Sequence, residues 1–366
     1  MLLSICMYIG LPLLLSGTSY LISKKELTKS AFSVEILYIS LVFSFFMGLR
    51  YAVGVDYFNY YNTYLNLSPD NHTFRTFEPF FHWLYRIGDK MDFTTHFIFI
   101  VSCFVQSYFY LKAFEYDKKL IPYAILFLFF IMIFSYLNII RQCAAYSILL
   151  VAYSNISRKK YKLGLFYILL ACLFHRSSFI SLVVFLFLFP KKIIDNWKFQ
   201  CLAIIFVMLF GNNSSELVFE VLNSFLDNSF FSSLLTKRFS VVESEAASGL
   251  GVLLKYFYYM CVFFLLRKED TFFYIFNKRL FLIGCLIFGC FTYSIIFQRI
   301  AMIFQISQLL LLPKLVYEYK TFWKNKNSIN KLIFLVLMFI ILLLYVASIF
   351  GSNQECVPFQ FNFGEI

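Results

Sequence analysis

Four arginines lie at or near the ends of long apolar segments of this sequence, at Arg50, Arg141, Arg176 and Arg299. An arginine inside an apolar membrane segment costs about 2.5–3.5 kcal/mol to insert, so each side chain is expected to face protein, water or a ligand. The guanidinium carries a fork of N–H donors that matches phosphate oxygens in pairs. Any one of the four could instead snorkel to the lipid headgroups. Together, they predict a site for an anionic ligand.

Three residues close to the same segment ends could transfer protons, and they are Asp56, Glu78 and His175. An ordinary histidine gains and loses its proton near neutral pH, so His175 is the strongest candidate for a general base that acts on a hydroxyl group. Ser177 follows closely enough along the chain to orient the ring. Two alternatives stay open: His175 could only donate a structural hydrogen bond, and Asp56 could only pair with Arg50.

The chain that must position these residues is strongly apolar. Its 366 residues are 61% hydrophobic, 22% aromatic and 14% charged, and the mean hydropathy is +0.75. This composition is typical of an all-α polytopic integral membrane protein and excludes a soluble or disordered chain. The net charge of +12 comes from 32 Lys and Arg against 20 Asp and Glu. In such a protein it indicates membrane sidedness, and we predict no nucleic-acid partner.

Several chemistries lack their sequence motifs. The sequence contains no Walker loop, GxGxxG, HExxH or GxSxG, which argues against an ATPase, a dehydrogenase, a zincin and an α/β-hydrolase. The nine cysteines form no CxxC pair and mostly fall in apolar runs, as small buried residues do. The sequence therefore predicts neither a metal site nor a cofactor.

About 20 apolar residues are needed to cross the hydrocarbon core of a membrane. By this measure the sequence predicts a single transmembrane domain over residues 1–366 with about twelve spans, and a GT-C-like arrangement of its helices is compatible with that number. The twelve segments begin near Leu2, Ala31, Phe93, Leu120, Ile139, Leu163, Ser177, Phe199, Ser248, Leu280, Ile300 and Leu332.

The sixth and seventh segments are short, and they could form one long tilted helix. His175 and its neighbours interrupt them between Phe174 and Ser177. Lys162 precedes the pair and Lys191 follows it, and basic residues prefer the cytoplasmic side. Both ends are then inside, so we predict a helical hairpin with His175 at its outer tip.

The same preference predicts the topology of the whole chain. Most Lys and Arg residues fall in alternate connections between the segments, so those connections are cytoplasmic and both termini lie outside. The four arginines and the three proton-transfer candidates are then all at the outer face. Fixed positive charge there suits a lipid with a pyrophosphate head group.

Two outer connections are long, residues 50–92 and 211–247, and loops of this length are usually functional. The first is rich in aromatic residues such as Tyr57 and Tyr60. These rings could stack on sugars, and the alternative is a short amphipathic helix that lies on the membrane surface.

Motifs in a fixed order resemble those of the EpsG family, which belongs with the Wzy-type polysaccharide polymerases. The R…GxDYxxY…E block of that family is similar to three stretches of this sequence, namely Leu49-Arg50, Gly54-Val55-Asp56-Tyr57-Phe58-Asn59-Tyr60 and Glu78-Pro79-Phe80-Phe81. Ile140-Arg141-Gln142-Cys143-Ala144-Ala145 is similar to an IRQ-small-A element, Phe174-His175-Arg176-Ser177-Ser178 to an FHxS turn, and Arg299 to a further late arginine. The resemblance extends from about Arg50 to Arg299, which is most of the chain.

The resemblance implies a glycosyltransferase-type polymerase of O-antigen, capsule or exopolysaccharide repeat units in the bacterial inner membrane, with its active site facing the periplasm. The growing chain would move from undecaprenyl pyrophosphate to the nonreducing end of a new lipid-linked repeat unit. The implied partners are these lipid-linked units and membrane lipid, and a chain-length regulator is a further candidate.

The resemblance and the residue types together imply specific roles. Arg141 and Arg299 would bind the pyrophosphate, and His175 or Asp56 would deprotonate the acceptor hydroxyl. Arg50 would either join the pyrophosphate site or anchor Asp56. The residues expected to bind substrate are Arg50, Tyr57, Tyr60, Glu78, Gln142, Arg176 and Ser177.

Two other functions stay open. A ligase that moves finished glycan from the same lipid carrier would use the same cations on the same membrane face. A lipid-linked oligosaccharide flippase or other transporter would carry charges near the middle of the membrane and show internal repeats. The charges here lie at segment ends, and the first six segments show no clear repeat in the last six.

Overall fold

The structure, a computed structural model, describes residues 1–23, 29–67, 77–188, 192–225, 249–292, 294–322 and 328–361. These residues are predominantly helical, with one isolated antiparallel bridge between Arg50 and Phe361, so the all-α prediction is confirmed. In chain order the helices are α1 (Leu2–Ile22), α2 (Lys29–Gly48), α3 (Tyr57–Leu65), α4 (Pro79–Lys90), α5 (His96–Lys112), α6 (Lys118–Asn138), α7 (Ile140–Ile156), α8 (Tyr161–Phe174), α9 (Lys192–Asp195), α10 (Trp197–Phe225), α11 (Leu250–Leu265), α12 (Phe272–Cys290), α13 (Ile295–Gln305), α14 (Gln308–Phe322) and α15 (Ser328–Phe350). A 3₁₀ helix, Arg176–Phe187, separates α8 from α9.

Within the described part of the chain, four helices are long and apolar enough to cross a membrane: α1, α6, α12 and α15. The pair α13 and α14 is a candidate for a fifth span, bent by 43°. Several further apolar helices, α8 and α11 among them, have only 10–17 residues. At 1.5 Å per residue such helices fall short of the hydrocarbon thickness. The number of twelve spans and the GT-C-like arrangement stay predictions.

The eleventh predicted segment differs in detail from the structure. A helix begins at Ile295, before the predicted start near Ile300, and the chain bends between Gln305 and Gln308. At the bend, the Ser307 hydroxyl donates a hydrogen bond of 2.7 Å to the carbonyl of Phe304. A serine that bonds to a nearby backbone carbonyl competes with helix hydrogen bonding and often accompanies a bend.

The chain divides into two compact units. Unit 1 comprises Met1–Leu182, Leu309–Phe322 and Ile341–Ile366, and unit 2 comprises Val183–Gln308 and Trp323–Ile340. Unit 1 contains the span-length helices α1 and α6, and unit 2 contains α12. The division therefore lies within the predicted transmembrane domain.

The two predicted outer loops contain helix. Residues 50–92 include α3 and α4, while residues 68–76 lie outside the described residues. α4 buries Phe81, Leu84 and Tyr85 on one face, as a helix packed against protein does. In the second predicted loop, 211–247, helix α10 continues to Phe225, and residues 226–248 lie outside the described residues.

Helix α7 forms the interior of unit 1. It packs against α5 and α8, and α5 also packs against α2. Every residue of α7 is buried except Arg141, in its first turn. The helix therefore presents one charged side chain at the edge of an otherwise buried core.

The predicted interruption at His175 is confirmed. Helix α8 ends at Phe174, His175 has extended backbone angles (φ −158°, ψ 123°), and the 3₁₀ helix begins at Arg176. The reversal of the chain into a hairpin stays a prediction.

Candidate active site

A buried carboxylate joins three parts of unit 1. Glu78 Oε2 lies 2.7 Å from Arg141 Nη1, and Glu78 Oε1 lies 2.8 Å from His175 Nδ1. The backbone N–H of Arg176 donates a longer hydrogen bond, 3.4 Å, to the same Oε1. We call these four residues the Glu78 cluster. Three of the motifs singled out in the sequence therefore meet at one carboxyl group.

Local backbone structure brings each member to the cluster. Glu78 has extended angles and precedes Pro79, which starts α4 because its fixed φ suits the first turn of a helix. Arg141 lies in the first turn of α7. His175 follows the end of α8 in extended conformation. The cluster is thus built at helix ends, where side chains can converge from different segments.

Charge keeps Glu78 ionised although it is buried. Its side chain is 4% exposed, and burial alone would raise the pKa of the carboxyl group. The nearby His175 imidazole and the positive charge of Arg141 outweigh burial and lower the pKa to about 2. The contact with His175 has ion-pair distance without the alignment of a hydrogen bond. Glu78 is therefore a fixed anion that holds a cation and an imidazole.

Arg141 is partly enclosed. Its guanidinium carbon lies 4.5 Å from the centroid of the Phe77 ring, and its side chain also contacts Tyr60 by a hydrogen bond. The side chain is 21% exposed. Its buried Nε has no hydrogen-bond partner among the described residues. The exposed part of the side chain is therefore accessible to a ligand, whereas Nε lies in the protein interior.

Aromatic rings form a wall beside the cluster. Phe80, two residues after Glu78, stacks on Phe174, the residue before His175, with centroids 4.1 Å apart. Phe77 packs against buried Tyr85 at 5.0 Å, and the Tyr85 hydroxyl donates to the carbonyl of Tyr60. The bond between Tyr85 and Tyr60 joins α4 to α3, and the stack of Phe80 on Phe174 joins α4 to the end of α8.

The helix break before Arg141 is built around Gly54 and Asn138. Helix α6 ends at Asn138, Ile139 leaves helical geometry (φ −91°, ψ 63°), and α7 begins at Ile140. Asn138 Oδ1 accepts the backbone N–H of Asp56 at 2.8 Å. Gly54 has φ +103°, and a Cβ there would lie 3.0 Å from the carbonyl oxygen of Leu137. The glycine is thus needed for both its backbone angle and its close contact with the break.

The C-terminal segment holds the same loop from its other side. The backbone N–H groups of Gly54 and Val55 donate to the carbonyls of Glu355 and Gln354. The N–H of Tyr51 donates to the carbonyl of Gln360. Residues 354–361 therefore help to position the loop that follows α2.

Replacing Gly54 with alanine is expected to lower the free energy of unfolding by about 1–3 kcal/mol, because a side chain is strained at this backbone angle. Thermal unfolding of the purified protein in detergent measures the change. Gly17→Ala is the matched control, since a Cβ at Gly17 meets nothing within 4 Å and alanine favours helix. Equal unfolding temperatures for both variants would contradict the role assigned to Gly54.

The remaining predicted site residues of unit 1 lie at several depths. Arg50 is fully buried, and its guanidinium bonds to backbone carbonyls outside the Glu78 cluster. Asp56 is half-buried, and it forms no ion pair with Arg50 among the described residues, because the Arg50 guanidinium bonds to backbone carbonyls instead. Tyr57 is buried and stacks on Phe99 with centroids 4.6 Å apart.

Two further predicted residues follow cluster members directly. Gln142 is buried next to Arg141 on α7. Ser177 is half-buried, and its hydroxyl oxygen has no hydrogen-bond partner among the described residues. Arg299 is exposed on α13 of unit 2, and its part in binding stays a prediction.

In the sequence, Phe80 and Phe174 stood out only as parts of motifs, and Phe77, Asn138 and Gln106 were missed altogether. Phe77 directly precedes Glu78 and Phe174 directly precedes His175, so their position was a usable signal. Asn138, a polar residue at the end of an apolar run and three residues before Arg141, marked the break. Gln106, inside the apolar run of α5, gave no comparable signal, because its contacts depend on the packing of α5 against α7.

The helices and the cluster define a multi-pass membrane protein that holds a carboxylate, an arginine and a histidine together at helix ends. The model of the EpsG family matches residues 34–361, so the chain belongs to the EpsG family. It is therefore a membrane protein of the polysaccharide polymerase type. Comparison with curated proteins finds no match, and comparison with solved structures finds none either.

Proposed function

We propose that the protein polymerises lipid-linked oligosaccharide repeat units and that the Glu78 cluster is its catalytic site. One observation carries the proposal: within a chain of the EpsG family, buried Glu78 contacts both Arg141 and His175. A histidine oriented by a carboxylate, beside a cation, is an arrangement suited to glycosyl transfer from an anionic leaving group.

His175 acts as the general base. With Nδ1 at Glu78, the other ring nitrogen, Nε2, is the one left to accept the proton of the acceptor hydroxyl. The acceptor oxygen then attacks the anomeric carbon of the donor sugar. The bond from that carbon to the pyrophosphate oxygen breaks, and the bonding electrons leave with the lipid pyrophosphate.

Cations stabilise the leaving group. Negative charge grows on the pyrophosphate as the sugar departs, and preorganised donors stabilise it most where water is scarce. Arg176 joins the cluster through its backbone and has an exposed side chain, and the side chain of Arg141 is partly exposed. Arg299 of unit 2 is a third candidate. Because Glu78 already neutralises much of the charge of Arg141, we assign Arg176 a larger share of pyrophosphate binding than the sequence alone indicates.

The donor in this proposal is a glycan on undecaprenyl pyrophosphate, and the acceptor is a new lipid-linked unit. The site faces the periplasm from the bacterial inner membrane, where such lipids present their glycans. The concentration of basic residues in alternate connections supports this orientation. The aromatic residues of α3 and α4 would line the sugar groove, and Asp56 is the second candidate for the base.

Replacing Arg141 with alanine is expected to abolish long polymer, because the variant removes a cation from the leaving-group site and leaves Glu78 without its ion-pair partner. Gel analysis of the surface polysaccharide, after deletion of the gene and complementation with each variant, measures the outcome. Arg86→Ala is the matched control, since Arg86 is exposed on α4. A normal ladder from well-expressed Arg141→Ala protein would contradict the assignment.

The deletion strain itself separates the alternative functions. Loss of a polymerase leaves single repeat units attached to the lipid A core, whereas loss of a ligase leaves no unit attached to that core. Persistent long chains in the deletion strain would remove the polymerase proposal and favour a transporter.

A further inference from the structure

Arg50 lies in the interior of unit 1 and donates to the backbone of three segments. Its side chain is 0% exposed. Nη1 donates to the carbonyl of Met47 at 2.9 Å, Nη2 to the carbonyl of Leu137 at 2.9 Å, and Nε to the carbonyl of Val53 at 3.3 Å. The guanidinium also lies 4.7 Å from the Phe99 ring centroid. Each of its three nitrogens donates to the protein and its surface is covered, so this arginine is not placed to reach a ligand.

The carbonyl of Leu137 belongs to the end of α6, where the backbone is short of partners. The last four carbonyls of a helix find no N–H donor within that helix. In an apolar environment each unsatisfied carbonyl is costly. Helix α6 ends at Asn138, so Leu137 and Tyr136 are among these groups. Arg50 supplies the donor for Leu137 from the end of α2.

Gln106 supplies donors from a second helix. Its amide nitrogen, on α5, donates to the carbonyl of Tyr136 at 3.2 Å and to the carbonyl of Ile140 at 3.1 Å. The two acceptors lie on opposite sides of Ile139, where α6 ends and α7 begins. One side chain therefore spans the break. Arg50 and Gln106 together bond to three carbonyls between residues 136 and 140.

We propose that Arg50 and Gln106 are positioning residues that hold the break between α6 and α7 in one geometry and thereby aim Arg141 at Glu78. Arg141 follows Ile140 directly, so a small rotation of the first turn of α7 would separate Arg141 Nη1 from Glu78 Oε2, now 2.7 Å apart. The effect on turnover rests on the proposed function. The effect on the break rests on the hydrogen bonds alone.

The test compares Arg50→Lys and Gln106→Met with the wild-type protein, each purified in detergent. Lysine keeps the charge but cannot reach three carbonyls with one amine, and methionine keeps the approximate volume of glutamine without its donors. Hydrogen–deuterium exchange of peptides that cover residues 135–145 reports the geometry of the break. Initial rates with lipid-linked repeat units report turnover and KM.

Arg279→Lys is the matched control. Arg279 is a buried arginine of unit 2 that donates to both carboxylate oxygens of Asp195 and to the carbonyl of Phe187. Its replacement should change exchange around its own contacts and leave exchange of residues 135–145 as in the wild type. The control thus removes any general effect of losing a buried arginine.

We expect faster exchange confined to residues 135–145 in both variants. Turnover at saturating repeat unit should fall about 10²-fold, the scale for misplacing a catalytic group, with KM within about threefold of the wild type. If Arg50→Lys protein does not fold, Gln106→Met decides the question on the same readouts.

Two results would overturn the proposal. A raised KM with unchanged turnover and unchanged exchange would assign Arg50 to substrate, and an equal increase of exchange throughout unit 1 would assign it a general stabilising role. A wild-type protein that makes no polymer from any repeat unit would reject the proposed function, while the exchange measurement would still decide the positioning role.

Discussion

Replacing His175 with alanine is expected to lower the rate of polymerisation by about 10²–10⁴-fold, the usual contribution of a general base. The side chain is 24% exposed and lies 2.8 Å from ionised Glu78, so it is both oriented and accessible. Its removal takes away the proton acceptor and leaves the cationic groups in place. The effect should therefore fall on turnover more than on substrate binding.

Initial rates with purified protein and lipid-linked repeat units measure the effect of His175→Ala. His82→Ala is the matched control, because His82 is a half-buried histidine on α4 outside the Glu78 cluster. Its rate should stay within about twofold of the wild type, as expected for a residue that takes no part in proton transfer. A His175→Ala variant that polymerises at the control rate would transfer the role of base to Asp56.

Replacing Glu78 with glutamine is expected to reduce both activity and stability. The substitution keeps the shape of the side chain but removes the charge that Arg141 and His175 share. Breaking a buried ion pair costs about 3–5 kcal/mol when the remaining charge is fully buried. Arg141 is 21% exposed, so we expect a smaller cost, about 1–3 kcal/mol after allowance for solvent screening. Loss of the charge that holds the His175 imidazole in place should also slow turnover by about 10²-fold.

The contribution of Glu78 to stability depends on pH in a defined direction. Its pKa falls from the ordinary value of 4.5 to about 2 on folding, so the ionised form favours the folded state. This contribution is fully present above about pH 4.5 and is lost as the pH falls through about 2. The gap in unfolding temperature between the wild type and Glu78→Gln should therefore be wide at pH 7 and narrower at pH 3.

Thermal unfolding in detergent at these two pH values tests the prediction. Glu115→Gln is the matched control, since Glu115 forms an exposed ion pair with Lys112 at 3.6 Å and is 45% exposed. Such surface pairs contribute about 0–1 kcal/mol. A gap for Glu78→Gln that is the same at pH 3 and pH 7, or no larger than that of the control, would show that the cluster charges do not stabilise the fold.

The residues that meet at Glu78 could be identified from the sequence because each carries a local signal. Glu78 precedes a proline that starts a helix, Arg141 follows a polar residue at the end of an apolar run, and His175 interrupts two short apolar segments. Charged groups are expensive in apolar surroundings, so their presence at such points already indicates a role. The family could be predicted because its motifs contain these residues in the same order.

Local sequence signals could not tell which of these charged residues meet at Glu78 and which bond to the backbone elsewhere. Arg50 and Arg141 have the same side chain at similar segment ends, yet Arg50 bonds to carbonyls in the interior and Arg141 pairs with Glu78 at a partly exposed edge. The difference arises from which helix ends lie nearby, and that depends on contacts between residues far apart in the chain. Asp56 is a second example: the sequence left open whether its carboxylate pairs with Arg50, and it gave no sign that the Asp56 backbone N–H would bond to Asn138.

Composition and long apolar runs were enough to predict an all-helical membrane protein, because the membrane demands long apolar helices with satisfied backbone groups. The resemblance of its ordered motifs predicted the family, and the same motifs marked the segment ends that hold the charged residues. The pairing of Glu78 with both Arg141 and His175, and the bonding of Arg50 to backbone carbonyls, became visible only in the three-dimensional contacts. Arg141 and His175 lie 63 and 97 positions from Glu78 along the chain, and they reach its carboxylate only when the helices pack.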